Sequence, residues 1–172
     1  MPLIQVKFAF KIAAEAARVD SLMGRIYSKA IQKVTGGLYS HVELVIDDSV
    51  PAHALSFSSR EPSGTGFTHI NLTDTALWDV VDGFAVDKAT IMAWCDGRSG
   101  RRYNMAGIAG IALGKAISDP ADDYCSQCCY EAARYFGRLA PSIPSEFVAP
   151  SGMGKDKKRY GLYELLDGTQ RP

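Results

Sequence analysis

Hydrophobic and polar positions alternate from the start of the chain. Ile4, Val6, Phe8 and Phe10 are interleaved with Gln5, Lys7, Ala9 and Lys11, the period-two pattern of a strand with one buried face. The period then changes. Val19, Leu22, Met23, Ile26, Tyr27, Ala30, Ile31 and Val34 recur at helical spacing and predict an amphipathic helix over 20–34, ended by Gly36-Gly37. Tyr39-Ser40-His41-Val42-Glu43-Leu44-Val45-Ile46 returns to strand, with His41, Glu43 and Val45 on one face and Val42, Leu44 and Ile46 on the other. Such a strand belongs to a sheet with one face on a core and the other on a cleft. Asp47-Asp48 is a turn signal, and 52–58 is its antiparallel return, with Pro51 marking an edge or a bulge. Residues 60–66 form a polar loop; Phe67 to Leu72 and Trp78 to Val81 are further strands.

Helices dominate the second half. Asp87 caps a helix running to about Cys95 and closed by Gly97 and Gly100. Met105 to Gly114 is rich in Gly and Ala and predicts a closely packed helix, while 115–123 is a loop. From Cys125, the residues Cys128, Cys129, Ala132, Ala133 and Phe136 draw an apolar face that stops at Gly137, with Asp122 or Asp123 placed to cap the helix start. A proline-bearing tail follows, with 151–158 mobile and a last short helix over 160–166. The order is strand, helix, a run of strands, then helices, which is an α+β fold in one domain spanning 1–172.

Composition narrows the function classes. The 19 basic and 19 acidic residues cancel and the basic ones are scattered, so no electrostatic nucleic-acid surface is encoded. No apolar run approaches the roughly 20 residues that span a bilayer. The alternation over 1–12 is not a signal-peptide core, which predicts synthesis in the cytoplasm. Three of the four cysteines crowd at 125, 128 and 129, which is not a disulfide framework and points to a reducing compartment. Cys125-x-x-Cys128 has redox spacing, but no proline sits between the two thiols; for zinc there is no second Cys/His pair. No cofactor or metal is expected. Cys95, Cys128 and Cys129 read as small buried hydrophobes.

Cys125 stands apart. A thiol in the first turn of a helix sits at the positive end of the helix dipole, which favours the nucleophilic thiolate. Its base has to come from His41, His53 or His69. The latter two lie near Pro51 and in a Gly/Ser-rich stretch, as surface imidazoles do, which leaves His41 as the candidate. Two readings compete for the group that orients the ring. Glu43 has the right chemistry, but i and i+2 on a strand are about 6.5 Å apart along the chain. A residue directly across a hairpin is nearer, about 4.5–5.5 Å between Cβ atoms, and Ser56 or Ser58 occupies that place depending on register. Glu43 is narrowly favoured.

With these residues in place, the chain resembles the circularly permuted branch of the papain-like, NlpC-type cysteine hydrolases, which also includes the lecithin retinol acyltransferase-like proteins. The resemblance rests on Tyr39-Ser40-His41-Val42-Glu43-Leu44-Val45, on Gly100 to Tyr103-Asn104, and on Tyr124-Cys125-Ser126-Gln127, with the histidine strand ahead of the nucleophile helix. It covers most of residues 3–137 and is nearest to bacteriophage-encoded members of that branch. It implies an antiparallel sheet packed against helices with the nucleophile at a helix N-terminus. It also implies a hydrolase (amidase or thiol peptidase) or acyltransferase working through a thioester acyl-enzyme on a peptide or acyl substrate, peptidoglycan included. In that pattern Cys125 is the nucleophile, His41 the base and then the acid, the Cys125 N–H an oxyanion donor, and Tyr103 the tyrosine near the oxyanion. Tyr124, next to the nucleophile, is a further lining candidate, although such tyrosines are more often core or rim aromatics than catalytic groups. A serine as orienter departs from the family and favours the alternative, a non-catalytic structural protein such as a virion component that keeps the fold.

Overall fold

The computed structural model describes residues 3–16, 20, 22–107, 121–140, 143–152 and 160–168. Five strands form one antiparallel sheet: β1 (Leu3–Ile12), β2 (Tyr39–Asp47), β3 (Ala54–Arg60), β4 (Gly64–Ile70) and β5 (Trp78–Asp87), in the spatial order β4-β3-β2-β1-β5. The N-terminal alternation accounts for the place of β1. It pairs with β2 through Phe8↔Leu44 and with β5 through Phe8↔Val81, so both of its edges are hydrogen-bonded and it runs through the interior of the sheet. Between Val6 and Lys7 the β5 register slips, and Gly83 takes up the bulge. A Cβ there would lie 2.7 Å from both the Phe8 ring and the Val6 carbonyl, so only glycine fits.

One face of the sheet carries the main core. Val6, Phe8, Phe10, Val42, Leu44, Ile46 and Phe57 pack with Ile91 and Cys95 of α3 (Lys88–Asp96) and with Cys128, Cys129, Ala132 and Ala133 of α4 (Cys125–Tyr135). Leu162, Leu165 and Leu166 of α5 (Leu162–Asp167) join them, brought in by the parallel pair β8 (Val148–Ala149) and β9 (Tyr160–Gly161). The opposite face is different. It has a small apolar cluster of Ala9, Val45, Ala54, Leu77 and Trp78, and beside it the polar side chains of β2. Two helices precede that strand, α1 (Ala13–Ala16) and α2 (Leu22–Thr35), and Ser28 and Ile31 of α2 wall the cleft on this face. The split of β2 between a core face and a cleft face is the one its alternation predicts.

Several expectations move. Residues 13–16, between the expected strand and the expected helix, are helical, and the following helix starts at Leu22. Pro51 lies in a 3₁₀ turn over Pro51–His53, while the bulge in the β2–β3 pair falls between Val45 and Asp47. The loop expected over 60–66 shrinks to a three-residue turn, because Arg60 ends β3 and Gly64, at φ 76°, already opens β4. A Cβ on Gly64 would stand 2.3 Å from the Arg101 carbonyl, so the turn closes against the segment after α3. The strand at Trp78 runs on to Asp87, whose carboxylate caps α3 as expected by accepting from Thr90 N at 3.1 Å. Asp122 and Asp123 do not cap α4. They form β7 (Asp122–Asp123), paired in parallel with β6 (Arg102–Tyr103), and the capping position falls to Tyr124, whose side chain makes no capping bond. Residues 105–107 are helical; the rest of the Met105–Gly114 helix, the loop at 115–120 and the tail at 153–158 lie outside the described residues. Among the described residues no helix is long and apolar enough to cross a membrane.

Candidate active site

The site begins with a bulge. Lys11 faces His41 while the next residue, Ile12, faces Tyr39, so Ser40 is the extra residue of β2. The slip lets Tyr39 and Val42 both face the core and turns Ser40 and His41 to the cleft. The strand start is held from outside: Tyr39 N donates to Ser151 Oγ at 2.9 Å, and its hydroxyl donates to Asp79 Oδ2 at 2.5 Å.

His41 then meets its partners. Its Nε2–H donates to Glu43 Oε1 at 2.7 Å, so the i, i+2 pair that looked too distant along the strand bonds directly. Both side chains stand on one face, and the extended glutamate leans across the ring. The Cys125 side chain also acts on the ring; with Nε2 held by Glu43, Nδ1 is the nitrogen left to face the thiol. Burial disfavours imidazolium, but the Cys125 side chain and then Glu43 outweigh it and carry His41 up to about 9.

Glu43 is 2% exposed and would be costly to bury charged without partners. It has three. Beside His41, Ser56 Oγ donates to Oε2 at 3.0 Å, and Arg60 lays its guanidinium across the carboxylate, Nε on Oε1 at 2.8 Å and Nη2 on Oε2. Burial pushes this carboxyl upward, but the Arg60 charge and the His41 contact prevail and hold it down at about 2. Arg60 is itself fixed, since its Nη1 donates to Gly66 O at 3.0 Å. The side chain that bonds the ring is therefore Glu43, and Ser56 bonds that carboxylate rather than the ring. Ser58, the other serine considered, donates to Val42 O at 2.7 Å and belongs to the β2–β3 framework.

Helix α4 delivers the thiol. Ser59 Oγ donates to Asp123 O at 2.7 Å and Asn104 N donates to the same carbonyl at 2.9 Å, which ties the helix entry to β3 and to the end of β6. The Asp123 carboxylate, 2% exposed, faces Arg98 at 3.2 Å and Arg101 at 3.5 Å. Cys125 opens the helix at 2% exposure, and with no side-chain cap ahead of it the first-turn N–H groups keep their donors. Tyr103 lines the cleft and packs on Tyr124. Tyr124 itself is buried and its hydroxyl donates to Ser145 O at 3.1 Å, so it supports the helix entry rather than the cleft. Burial pushes the other three thiols up, Cys95 to about 12 and Cys128 and Cys129 well above the ordinary thiol range.

The cleft beside His41 encloses about 360 Å³ and is walled by Ser28, Ile31, Ser40, Trp78 and Tyr103, with Arg60 and Glu61 at one side. Lys11, the cross-strand neighbour of His41, forms an ion pair with Asp20, and both line the cleft. Among the described residues no group of His, Cys, Asp and Glu has the spacing of a metal site. Arg60 is the residue the sequence reading missed, taken there for the start of a loop. The signal was present: Ser56, Ser58 and Arg60 share the period-two face of β3. Comparison with family models, with curated proteins and with solved structures finds no match for this chain.

Proposed function

We propose that this chain is a cysteine hydrolase or acyltransferase of the permuted papain-like kind, with Cys125 as nucleophile, His41 as proton shuttle and Glu43 as the orienter of the ring. The observation that carries the reading is one imidazole held on Nε2 by a buried carboxylate at 2.7 Å and raised by the side chain of a cysteine at a helix start. Cys125 Sγ attacks an acyl carbonyl while its proton resides on His41, and the carbonyl oxygen gathers charge near the uncapped N–H groups of α4. His41 then gives that proton to the leaving amine, alcohol or thiol as the C–N, C–O or C–S bond breaks, leaving a thioester. Water or another acceptor, deprotonated by His41, releases the acyl group and restores the thiol. Glu43 keeps the Nε2–H tautomer and stabilises the imidazolium. The substrate class that goes with this chemistry is a peptide amide or an acyl ester, peptidoglycan stem peptides among them.

A second reading, a scaffold that keeps the fold without turnover, draws on the 2% exposure of Cys125. One experiment separates them. With p-nitrophenyl acetate, the enzyme releases a burst of p-nitrophenolate stoichiometric with protein and carries one acetyl group on Cys125, removed by hydroxylamine and absent from Cys125→Ser. A scaffold shows neither burst nor adduct.

A further inference from the structure

Glutamate is an awkward orienter for a thiolate–imidazolium pair. In a dry site, a carboxylate added to that pair leaves one negative charge unbalanced and opposes the thiolate it is meant to help. The geometry points to Arg60 as the answer: we propose that Arg60 is a positioning residue that joins Glu43 in a charge-neutral orienting unit, so that the reactive state of the site carries two negative and two positive charges. The inference rests on the reading of Cys125 and His41 as the reactive pair.

The fork is built for this. Arg60 engages both oxygens of Glu43, Nε on Oε1 at 2.8 Å and Nη2 on Oε2, while Nη1 is pinned to Gly66 O at 3.0 Å and to Ser58 O at 3.4 Å. Oε1 is shared between Arg60 Nε and His41 Nε2, so the cation stands one oxygen away from the imidazole. A lysine would supply charge without the planar two-point grip. Among the described residues Arg60 is the cation paired with Glu43 besides His41.

Other charged groups around the pair are accounted for. On α4, Cys128 and Cys129 stay protonated through neutral pH because burial raises them. Ahead of that helix Asp123 is neutralised by Arg98 and Arg101, and Tyr124, with Glu146 acting on it, is raised by burial. On the neighbouring strand Lys11, opposite His41, is paired with Asp20, and Glu61, His69 and Tyr103 also line the cleft. His69 is removed as His69→Asn in every member of the test series.

The experiment is the pH profile of Cys125 alkylation by iodoacetamide, read for the pH of its acid and alkaline limbs. Arg60→Met leaves an extra negative charge, so both limbs move to higher pH by roughly one unit. Glu43→Gln leaves an extra positive charge, and both limbs move to lower pH by a similar amount. The double variant Glu43→Gln with Arg60→Met is neutral again, and its limbs return toward those of the starting protein. Arg60→Lys keeps the limbs in place but lowers the maximal rate, because charge survives and alignment does not. If Arg60→Met fails to fold, Arg60→Lys and the double variant, which buries no unpaired charge, still decide the matter. Limbs that stay fixed in all four variants, or shift in one direction without cancelling in the double, overturn the role of Arg60. A starting protein with no His41-dependent labelling overturns the reactive pair itself, and the proposal with it.

Discussion

Acid should destabilise this protein through Glu43 in a way that can be isolated. The carboxyl lies at about 2 in the folded chain against an ordinary 4.5, held down by Arg60 and His41 despite its burial. A folded-state value below the unfolded one means stability that is complete above about 4.5 and is lost as pH falls toward 2. Each pH unit of difference is worth about 1.4 kcal/mol, so this one group contributes about 3 kcal/mol at neutral pH. That is a large share of the roughly 5–15 kcal/mol that stabilises a typical domain. Glu43→Gln removes the titration while keeping the shape. Guanidinium unfolding of both proteins from pH 6 to pH 2 should show their difference in stability changing by about 3 kcal/mol in favour of the variant as pH falls. Other carboxyls, Asp47 included, titrate in both proteins and cancel. A difference that stays constant with pH would refute the claim that Arg60 and His41 hold Glu43 ionised.

Two further expectations follow from the scaffold. Asp87→Ala deletes the cap on α3, in which Oδ2 accepts from Thr90 N at 3.1 Å and Thr90 Oγ1 at 3.0 Å, and should cost about 1 kcal/mol in urea unfolding; no measurable loss would show that the cap is idle. Asp123→Asn leaves Arg98 and Arg101 without their anion beside the helix entry and should cost about 1–3 kcal/mol, discounted because both arginines are partly exposed. The same variant should slow alkylation of Cys125, whose position depends on that entry; a lower melting temperature with unchanged alkylation would confine Asp123 to stability.

Much of the framework is legible in the residues. Period-two alternation located β1 and β2, the Asp47-Asp48 turn signal located β3, and on β2 the alternation placed His41 and Glu43 on the cleft face with Val42, Leu44 and Ile46 toward the core. Helical spacing and a glycine stop located α2 and α4, and Asp87 announced α3. What was not legible depended on reach and register. The rise between i and i+2 describes backbone, whereas the His41–Glu43 bond is made by side chains leaning together. The bulge at Ser40 depends on how β1 and β2 pair, which no single strand reveals. Asp122 and Asp123 look like caps because acidic residues before a helix usually are; here the segment is drawn into a parallel pairing with Arg102 and Tyr103, and tertiary pairing overrides the local preference. Arg60 was hidden by the Glu61-Pro62-Ser63-Gly64 turn that follows it, although Ser56, Ser58 and Arg60 alternate on one face.

The central claim is that one thiol, Cys125, is activated by His41. Site-resolved alkylation with iodoacetamide across pH, in the wild-type chain and in His41→Ala, tests it most directly. The account predicts that Cys125 alone reacts fast near neutral pH, that Cys95, Cys128 and Cys129 label only on unfolding, and that His41→Ala slows Cys125 to the rate of an ordinary thiol. Labelling of Cys125 no faster than the other three, or unchanged by the loss of His41, would contradict it.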